Sequence, residues 1–445
     1  MVQTIPYRDA RPVLESLRRD LLPDDLRSKT PAEIEAAWPD WVAEHDRATR
    51  ARIGRGDRDS IVNFLLFGTT FTSEPRATAA ALLALNERPH EALSLFARRI
   101  DDLVAALAAP GSNERLQFAR RFVERQGMQP ETAAGRLELR RYLTDSLRQA
   151  PAEVVASART LDAAKAQRDV RAGVLERTLF RERGLSSDTS ILVDFALDQT
   201  LEMVNARGLL ASGRVRNVGV VGPGLDFTDK HYGYDFYPQQ TIQPFAVIDS
   251  LVRLGLARAG QIRLTTFDVN ERITEHIETA RVRAREGQPY ELTLPRDLDA
   301  PWSPALVSYW ERFGAGVGTP AGNLSAPPNA GNVRVRGVRV RPDVVTSIVP
   351  RTLNIVLERL EGLASDERFD LIVATDVLIY YDVFEQSLAL ANLAAMLRPG
   401  GLLLSNNALF QLPAIPIAEV GATDVVHMPM PGLGDLRDLV HWYQR

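Results

Sequence analysis

The chain has 445 residues, 45% of them hydrophobic and 25% charged, with a net charge of −4 and no cysteine. That length predicts two or three domains with a large core, and the composition excludes a disordered or fibrous polypeptide. Without cysteine there are no disulfides, no thiolate metal sites and no thiol nucleophile. A slightly acidic balance gives no global attraction to nucleic acid or anionic lipid. All but three of the 53 basic residues are arginine (Lys29, Lys165 and Lys230 are the exceptions), and they are spread among acids, with no nucleic-acid code in their runs. No uninterrupted apolar run of about 18 residues and no secretory pattern in residues 1–20 is present, so no membrane partner and a cytoplasmic location are expected.

From residue 12 to about 183, Ala, Leu, Arg and Glu recur at spacings of three and four, as in residues 91–107 and 137–147, which predicts helices. Thr30-Pro31-Ala32-Glu33 supplies a capping hydroxyl, a proline at the first helical position and a glutamate three residues past the cap. Pro110-Gly111-Ser112, Gln129-Pro130-Glu131 and Ala150-Pro151 divide the region into helices of roughly ten to twenty residues. Trp38 and Trp41, three apart in one helix, belong in its core. The first domain is therefore expected to be all-α, over residues 1–185.

After Gly184-Leu185-Ser186-Ser187-Asp188, short apolar runs alternate with helical stretches. Strands are predicted at 218–221, 262–267, 333–340, 353–356, 371–374, 402–405, 425–428 and 439–443, and helices at 245–256, 271–285 and 384–397. That alternation predicts an α/β domain over residues 186–445, a doubly wound, Rossmann-like parallel sheet covered on both faces. The last two runs are joined by the Pro/Gly-rich stretch 429–434, too short for a crossover helix, so an antiparallel carboxy-terminal hairpin is expected. Residues 314–332, rich in Gly, Pro, Ala and Asn without a period, are expected to form a mobile surface loop.

Val218-Gly219-Val220-Val221-Gly222-Pro223-Gly224-Leu225-Asp226 reads as a buried strand running into a tight turn, where Gly222 and Gly224 let backbone approach a ligand. A dinucleotide turn would place a third glycine where Phe227 stands, and Pro223 removes an amide donor while Asp226 adds negative charge. Phosphate is disfavoured there and a cationic ligand favoured, which suits the sulfonium of S-adenosylmethionine. Asp268, with Val269 beside it, follows the strand 262–267, the position from which an acid accepts hydrogen bonds from ribose hydroxyls. An aromatic-rich insertion, residues 229–240 (DKHYGYDFYPQQ), separates the glycine turn from its helix and is expected either to cover the cofactor or to pack between the domains. The strand in Phe369-Asp370-Leu371-Ile372-Val373-Ala374-Thr375-Asp376 delivers Thr375, Asp376 and then Tyr380 to the same crevice.

With Leu397-Arg398-Pro399-Gly400-Gly401 before the strand 402–405, the ordered set of glycine turn, ribose acid, FDLIVATD, LRPGG and terminal hairpin resembles the class I S-adenosylmethionine-dependent methyltransferases over about residues 190–445. Asp376-Val377-Leu378-Ile379-Tyr380-Tyr381, Asn354-Ile355 and residues 287–290 are locally similar to CheR-type methyltransferases. That resemblance implies adenine contacts at Asn354 and Ile355 and a substrate-facing role for Tyr380. The chain departs from that type at Asp376, where an amide residue is usual, and in lacking a Gly-Glu-Glu run at the glycine turn.

Methyl transfer needs mainly orientation of nucleophile and methyl group, and an amine or hydroxyl acceptor also needs its proton taken, for which Asp376, His231 or a tyrosine is available. Asp376 is also suited to align an amine or to cap a following helix. The histidines show no ligand spacing, so no metal is expected. The expected partner is an unidentified methyl acceptor (protein, peptide or small molecule). The rival readings are a catalytically degenerate cofactor-binding module that engages a protein, and a nicotinamide-dependent oxidoreductase.

Overall fold

The computed structural model describes residues 1–77, 81, 93–166, 184–227, 234–322, 324–430 and 434–445, with residues 150–166 as helical backbone only. The chain opens with β1 (Val2–Thr4), α1 (Tyr7–Ser16), α2 (Asp24–Arg27), α3 (Pro31–Ala51) and α4 (Ile53–Phe67), then α5 (Ala97–Ala108), α6 (Glu114–Arg125), α7 (Ala133–Ala166) and α8 (Ile191–Ala206). There follow β2 (Asn217–Val221), α9 (Gln243–Arg253), β3 (Arg263–Asp268), α10 (Glu271–Arg285), β4 (Tyr290–Asp297), α11 (Pro304–Arg312), β5 (Gly318–Pro320) and β6 (Val333–Val340). The last elements are α12 (Pro342–Thr346), β7 (Ile348–Thr352), β8 (Glu358–Leu360), β9 (Phe369–Ala374), α13 (Val383–Met396), β10 (Leu397–Ser405), β11 (Ala418–Met430) and β12 (Gly434–Gln444).

Seven strands form the central sheet in the order β11-β12-β10-β9-β2-β3-β7. The five from β10 to β7 are parallel, and β12 and β11 close the edge as an antiparallel hairpin. The chain builds outward from β2 in one direction through β3 and β7, then returns to the other side at β9, so the order reverses between β2 and β9. Alternate residues divide between the faces as the strand period requires. Leu371, Val373, Leu402 and Leu404 join a cluster with α8, α9 and α10, while Ile372, Ala374 and Leu403 join one with α1, α3 and α13.

The second face shows what the amino-terminal helices are for. The predicted start of α3 forms with a full capping box, Thr30 N–H donating to Glu33 at 2.7 Å. Trp38 and Trp41 are buried, but in the core shared with the sheet: Trp41 meets Phe384 of α13 edge-on at 5.7 Å. The region expected to be all-α also contributes β1, which pairs antiparallel with β8. Helices α4 to α7 form a separate cluster, and into it the sheet half inserts Phe227, fully buried between Phe64 and Phe118. Arg115 of α6 fixes that insertion through the carbonyls of Asp226, Phe227 and Tyr237.

The same cluster holds a buried cation. Arg99 on α5 donates to the carbonyls of Leu65, Gly68, Glu74 and Pro75, and burial pushes its pKa down to about 10. Arg99→Met strands several buried acceptors and is expected to cost about 3 kcal/mol or more, read as a lower denaturation midpoint; an unchanged midpoint would show that water already serves those carbonyls.

Two strand assignments need correction. Residues 333–340 are extended but lie in a separate antiparallel sheet, order β4-β6-β5, inserted between α10 and β7. Its partner β4, with the proline Pro295 inside it, was not read as a strand at all. Residues 353–356 form the turn after β7, because the segment that pairs with β3 is Ile348–Thr352, a run interrupted by Pro350 and Arg351. Within 314–332 the short strand β5 and a 3-10 turn at Pro328–Ala330 give order to what reads as a loop. Among the described residues no helix is long and apolar enough to cross a membrane, and no cluster of His, Cys, Asp and Glu is placed to hold a metal.

Candidate functional site

The carboxyl ends of β2, β3, β7 and β9 open into a partly open cavity at the point where the strand order reverses. In open α/β sheets this is where ligands bind, because the loops leaving neighbouring strands diverge there. The β2 loop supplies Gly222 and Gly224, the β3 loop Asp268, Val269 and Asn270, the β7 loop Leu353 and Ile355, and the β9 loop Thr375, Asp376, Val377 and Tyr380. The helical side adds Ile53 of α4 and residues 185–190.

Both glycines are required by geometry. Gly222 has φ 66° and donates its N–H to the Phe267 carbonyl at 2.8 Å; a Cβ there would overlap Val377 Cγ2. Gly224 has φ 71°, and a Cβ would lie 2.9 Å from Thr189 Cβ. The turn is thus packed between the β9 loop on one side and residues 187–189 on the other, with Leu225 N–H bonded to Ser187 O at 2.7 Å.

Asp268 ends β3, 9% exposed, and accepts the Asn270 N–H at 2.8 Å. Burial pushes its carboxyl up to about 7, opposed by the Asn270 amide and by Arg272. Arg272 itself is tied down, donating to Ser187 Oγ at 2.9 Å and stacking over Phe118 at 4.2 Å. Asp376 is the one non-glycine residue among those described with positive φ, 56°. Asn406 holds it from both sides, accepting the Asp376 N–H at 2.9 Å and donating Nδ2 to Asp376 Oδ1 at 2.5 Å. The segment that Asp376 was a candidate to cap, 377–381, holds a short 3-10 turn at Leu378–Tyr380 with Val377 at its cap position, and the long α13 behind it is capped by Asp382, paired in a capping box with Glu385.

Of the residues singled out in the sequence, Gly222, Gly224, Asp268, Val269, Ile355, Thr375, Asp376 and Tyr380 line this one cavity. Asp226 and Asn354 do not. The Asp226 side chain is buried below the turn, accepting from Tyr237 OH at 2.6 Å, because Phe227 drags the loop toward the helical cluster. Asn354 turns away to α3, donating to Asp46 at 2.9 Å and accepting the Val356 N–H. His231 lies outside the described residues. Of the aromatic insertion, residues 234–240 are described, and Tyr234, Phe236 and Tyr237 pack with Ala330 away from the cavity.

Two contributors escaped the sequence reading. Residues 185–190 look like a polar linker, yet they form a wall of the cavity because Gly184 and Gly56 bring their backbones into contact. Gln243, at the start of α9, lines it too and donates Nε2 to Thr375 Oγ1 at 2.9 Å; no local pattern marks a lone glutamine.

No protein-family model and no curated protein matches this sequence. Solved structures do show similarity. The N-methyltransferase NodS from Bradyrhizobium japonicum WM9 is 16% identical, over 56% of this chain and 97% of that one, with TM-score 0.26. An O-methyltransferase family protein from Burkholderia thailandensis is 12% identical, over 83% and 98%, with TM-score 0.27. The glycopeptide N-methyltransferase MtfA complexed with S-adenosyl-L-methionine is 10% identical, over 55% and 76%, with TM-score 0.21.

Proposed function

We propose that the protein binds S-adenosylmethionine in this cavity and transfers its methyl group to an oxygen or nitrogen nucleophile. The observation that carries the reading is the placement of Asp268, a buried carboxylate at the end of the strand next to β2, in the same cavity as a glycine turn that leaves no room for side chains. Ribose hydroxyls would pair with Asp268, and Val269, Leu353 and Ile355 would offer the adenine apolar walls. The backbone of the Gly222–Gly224 turn and Gln243, whose Oε1 is buried without a partner, would meet the amino-acid end. When bound, the cofactor supplies an electrophilic methyl carbon on a positively charged sulfur. Thr375, Asp376 and Tyr380 then have the task of holding the acceptor in line with it and of taking or orienting its proton.

Titration calorimetry with S-adenosylmethionine and S-adenosylhomocysteine tests the binding, and methyl-label transfer to cell extract tests the chemistry. Saturable binding of both with label incorporated into extract is expected. Binding without transfer to any fraction would favour a degenerate module; binding of NADH and not of S-adenosylmethionine would favour an oxidoreductase.

A further inference from the structure

At the amino ends of the strands, opposite the cavity, four guanidiniums gather in one polar cleft. Arg214 and Arg216 come from the segment leading into β2, Arg258 from the segment between α9 and β3, and Arg398 from the start of β10, with Ser212 and Gln261 among them. None of the described residues that line the cleft is acidic. Among the described residues, the exposed side chains of Arg214, Arg216 and Arg258 have no ion-pair partner and no hydrogen bond. Arg398 lies 2.7 Å from Asp370 Oδ1, in a geometry that leaves its buried Nε–H without an acceptor in line. Asp370 is 6% exposed, and its other oxygen accepts the N–H groups of Arg216 and Asn217 at 2.7 and 2.9 Å. That carboxylate is spent behind the cleft, and three positive charges stand uncompensated within it.

A second, independent observation is that the frame carrying these charges is fixed. The Gly213 N–H and the Ser212 hydroxyl both donate to the Gly255 carbonyl at 2.9 Å, and the Val215 N–H donates to the Leu256 carbonyl at 3.1 Å. The Arg263 N–H donates in turn to the Arg216 carbonyl at 2.7 Å. The segments bearing Arg214, Arg216 and Arg258 are thus stitched together, and Arg258 Nε lies 3.8 Å from where a Cβ on Gly213 would stand. Like charges held around one cleft repel each other, and an anion that fits between them relieves the repulsion without reorganising the backbone.

We propose that this cleft binds a small anion carrying at least two phosphoryl groups. A guanidinium presents a planar fork that donates two parallel N–H bonds to phosphate oxygens, and Ser212 and Gln261 add neutral donors. One phosphoryl group carries a charge of about −1.5 to −2, which leaves part of the three charges unbalanced, and a second phosphoryl group makes up the difference. A strand of nucleic acid instead follows positive charge along successive phosphates. That charge is not continued here, because the recess at the start of β3 that holds Arg263 also carries Glu361 and Glu367, and the whole chain has a net charge of −4. The cleft shares no described lining residue with the cavity at the carboxyl ends, so the inference is independent of the transferase reading.

The test is calorimetry of the full chain with inorganic pyrophosphate at about 50 mM salt, where screening is weak, with and without excess S-adenosylhomocysteine. Saturable binding to one site is expected under both conditions, about tenfold or more tighter than that of inorganic phosphate. Arg214→Gln and Arg258→Gln should each weaken it by about fivefold or more, with the denaturation midpoint unchanged because neither side chain bonds to the rest of the fold. Arg47→Gln makes the same charge change at an exposed position of α3 and should leave the affinity within about twofold. Absence of saturable binding, phosphate binding as tightly as pyrophosphate, or equal weakening by Arg47→Gln each overturns the proposal. So does loss of pyrophosphate binding in the presence of S-adenosylhomocysteine, which would place the anion in the other cavity. An RNA of about 20 nucleotides that displaces pyrophosphate at a lower phosphate concentration would also overturn it, in favour of nucleic acid.

Discussion

Asp268→Asn is expected to stabilise the ligand-free protein at alkaline pH while weakening S-adenosylmethionine binding by about 1–3 kcal/mol. The opposite signs follow from one cause. Burial raises the Asp268 carboxyl from 3.8 to about 7 in the folded chain, so between those values the unfolded chain releases a proton that the folded one keeps. Folding stability then falls as pH rises through that window, by about 1.4 kcal/mol per unit, and levels off above 7 with a cumulative loss on the order of 4 kcal/mol. Asparagine keeps an oxygen for the Asn270 N–H and carries no charge to desolvate, so the penalty disappears; it also presents a weaker acceptor to ribose hydroxyls. Denaturant unfolding of both proteins at pH 4.5 and pH 8 checks the first half, since the gap in favour of the variant must widen with pH. Calorimetry checks the second. A gap that stays constant would mean that the carboxylate is ionised and hydrated in the folded state, and unchanged cofactor affinity would remove Asp268 from the site.

Gly56→Ala should destabilise the protein and loosen the cofactor cavity, although residue 56 does not line it. Gly56 lies inside α4, where alanine is normally worth up to about 1 kcal/mol more than glycine. Here a Cβ would overlap the carbonyl of Leu185, and a Cβ on Gly184 would overlap the backbone at Arg55 and Gly56. The contact is backbone on backbone, with no rotamer to move aside, so the 185–190 wall must shift. That wall carries Ser187, which is bonded to the glycine turn through Leu225 and to Arg272. A net loss of about 1–3 kcal/mol, the scale of an overpacked interface, is expected, together with at least a tenfold weaker S-adenosylmethionine affinity. Gly54, two residues earlier in the same helix, has nothing within 4 Å of its would-be Cβ. Gly54→Ala should therefore be neutral or stabilising, by up to about 1 kcal/mol. If the two variants behaved alike in unfolding and in calorimetry, the joint between α4 and the cavity wall would have no mechanical role.

The sheet was legible where its signals are local. The strands at 218–221, 262–267, 371–374 and 402–405 are short apolar runs bounded by turn residues, and the hairpin follows from the lack of room for a crossover between 428 and 439. The three-stranded insertion was not legible, because Pro295 breaks the pattern of β4, and half-exposed Val-Arg alternation in β6 is compatible with any sheet. Phe227 shows a further limit. It was informative as a missing glycine, while its real place, in a core formed by Phe64 and Phe118, depends on residues more than a hundred positions away.

The sequence alone determined which backbone turns exist and which acids leave the ends of strands, since strand period, glycine torsions and capping are set within a few residues. Only the tertiary structure decided which side chains meet: it put Asp188, Asp268 and Asp376 around one space, sent Asp226 to Tyr237 and Asn354 to Asp46, and laid α1 and α3 on the sheet's second face. The physical reason is that charge balance and close packing are properties of atoms within a few ångströms of each other, and in this fold those atoms come from segments far apart along the chain.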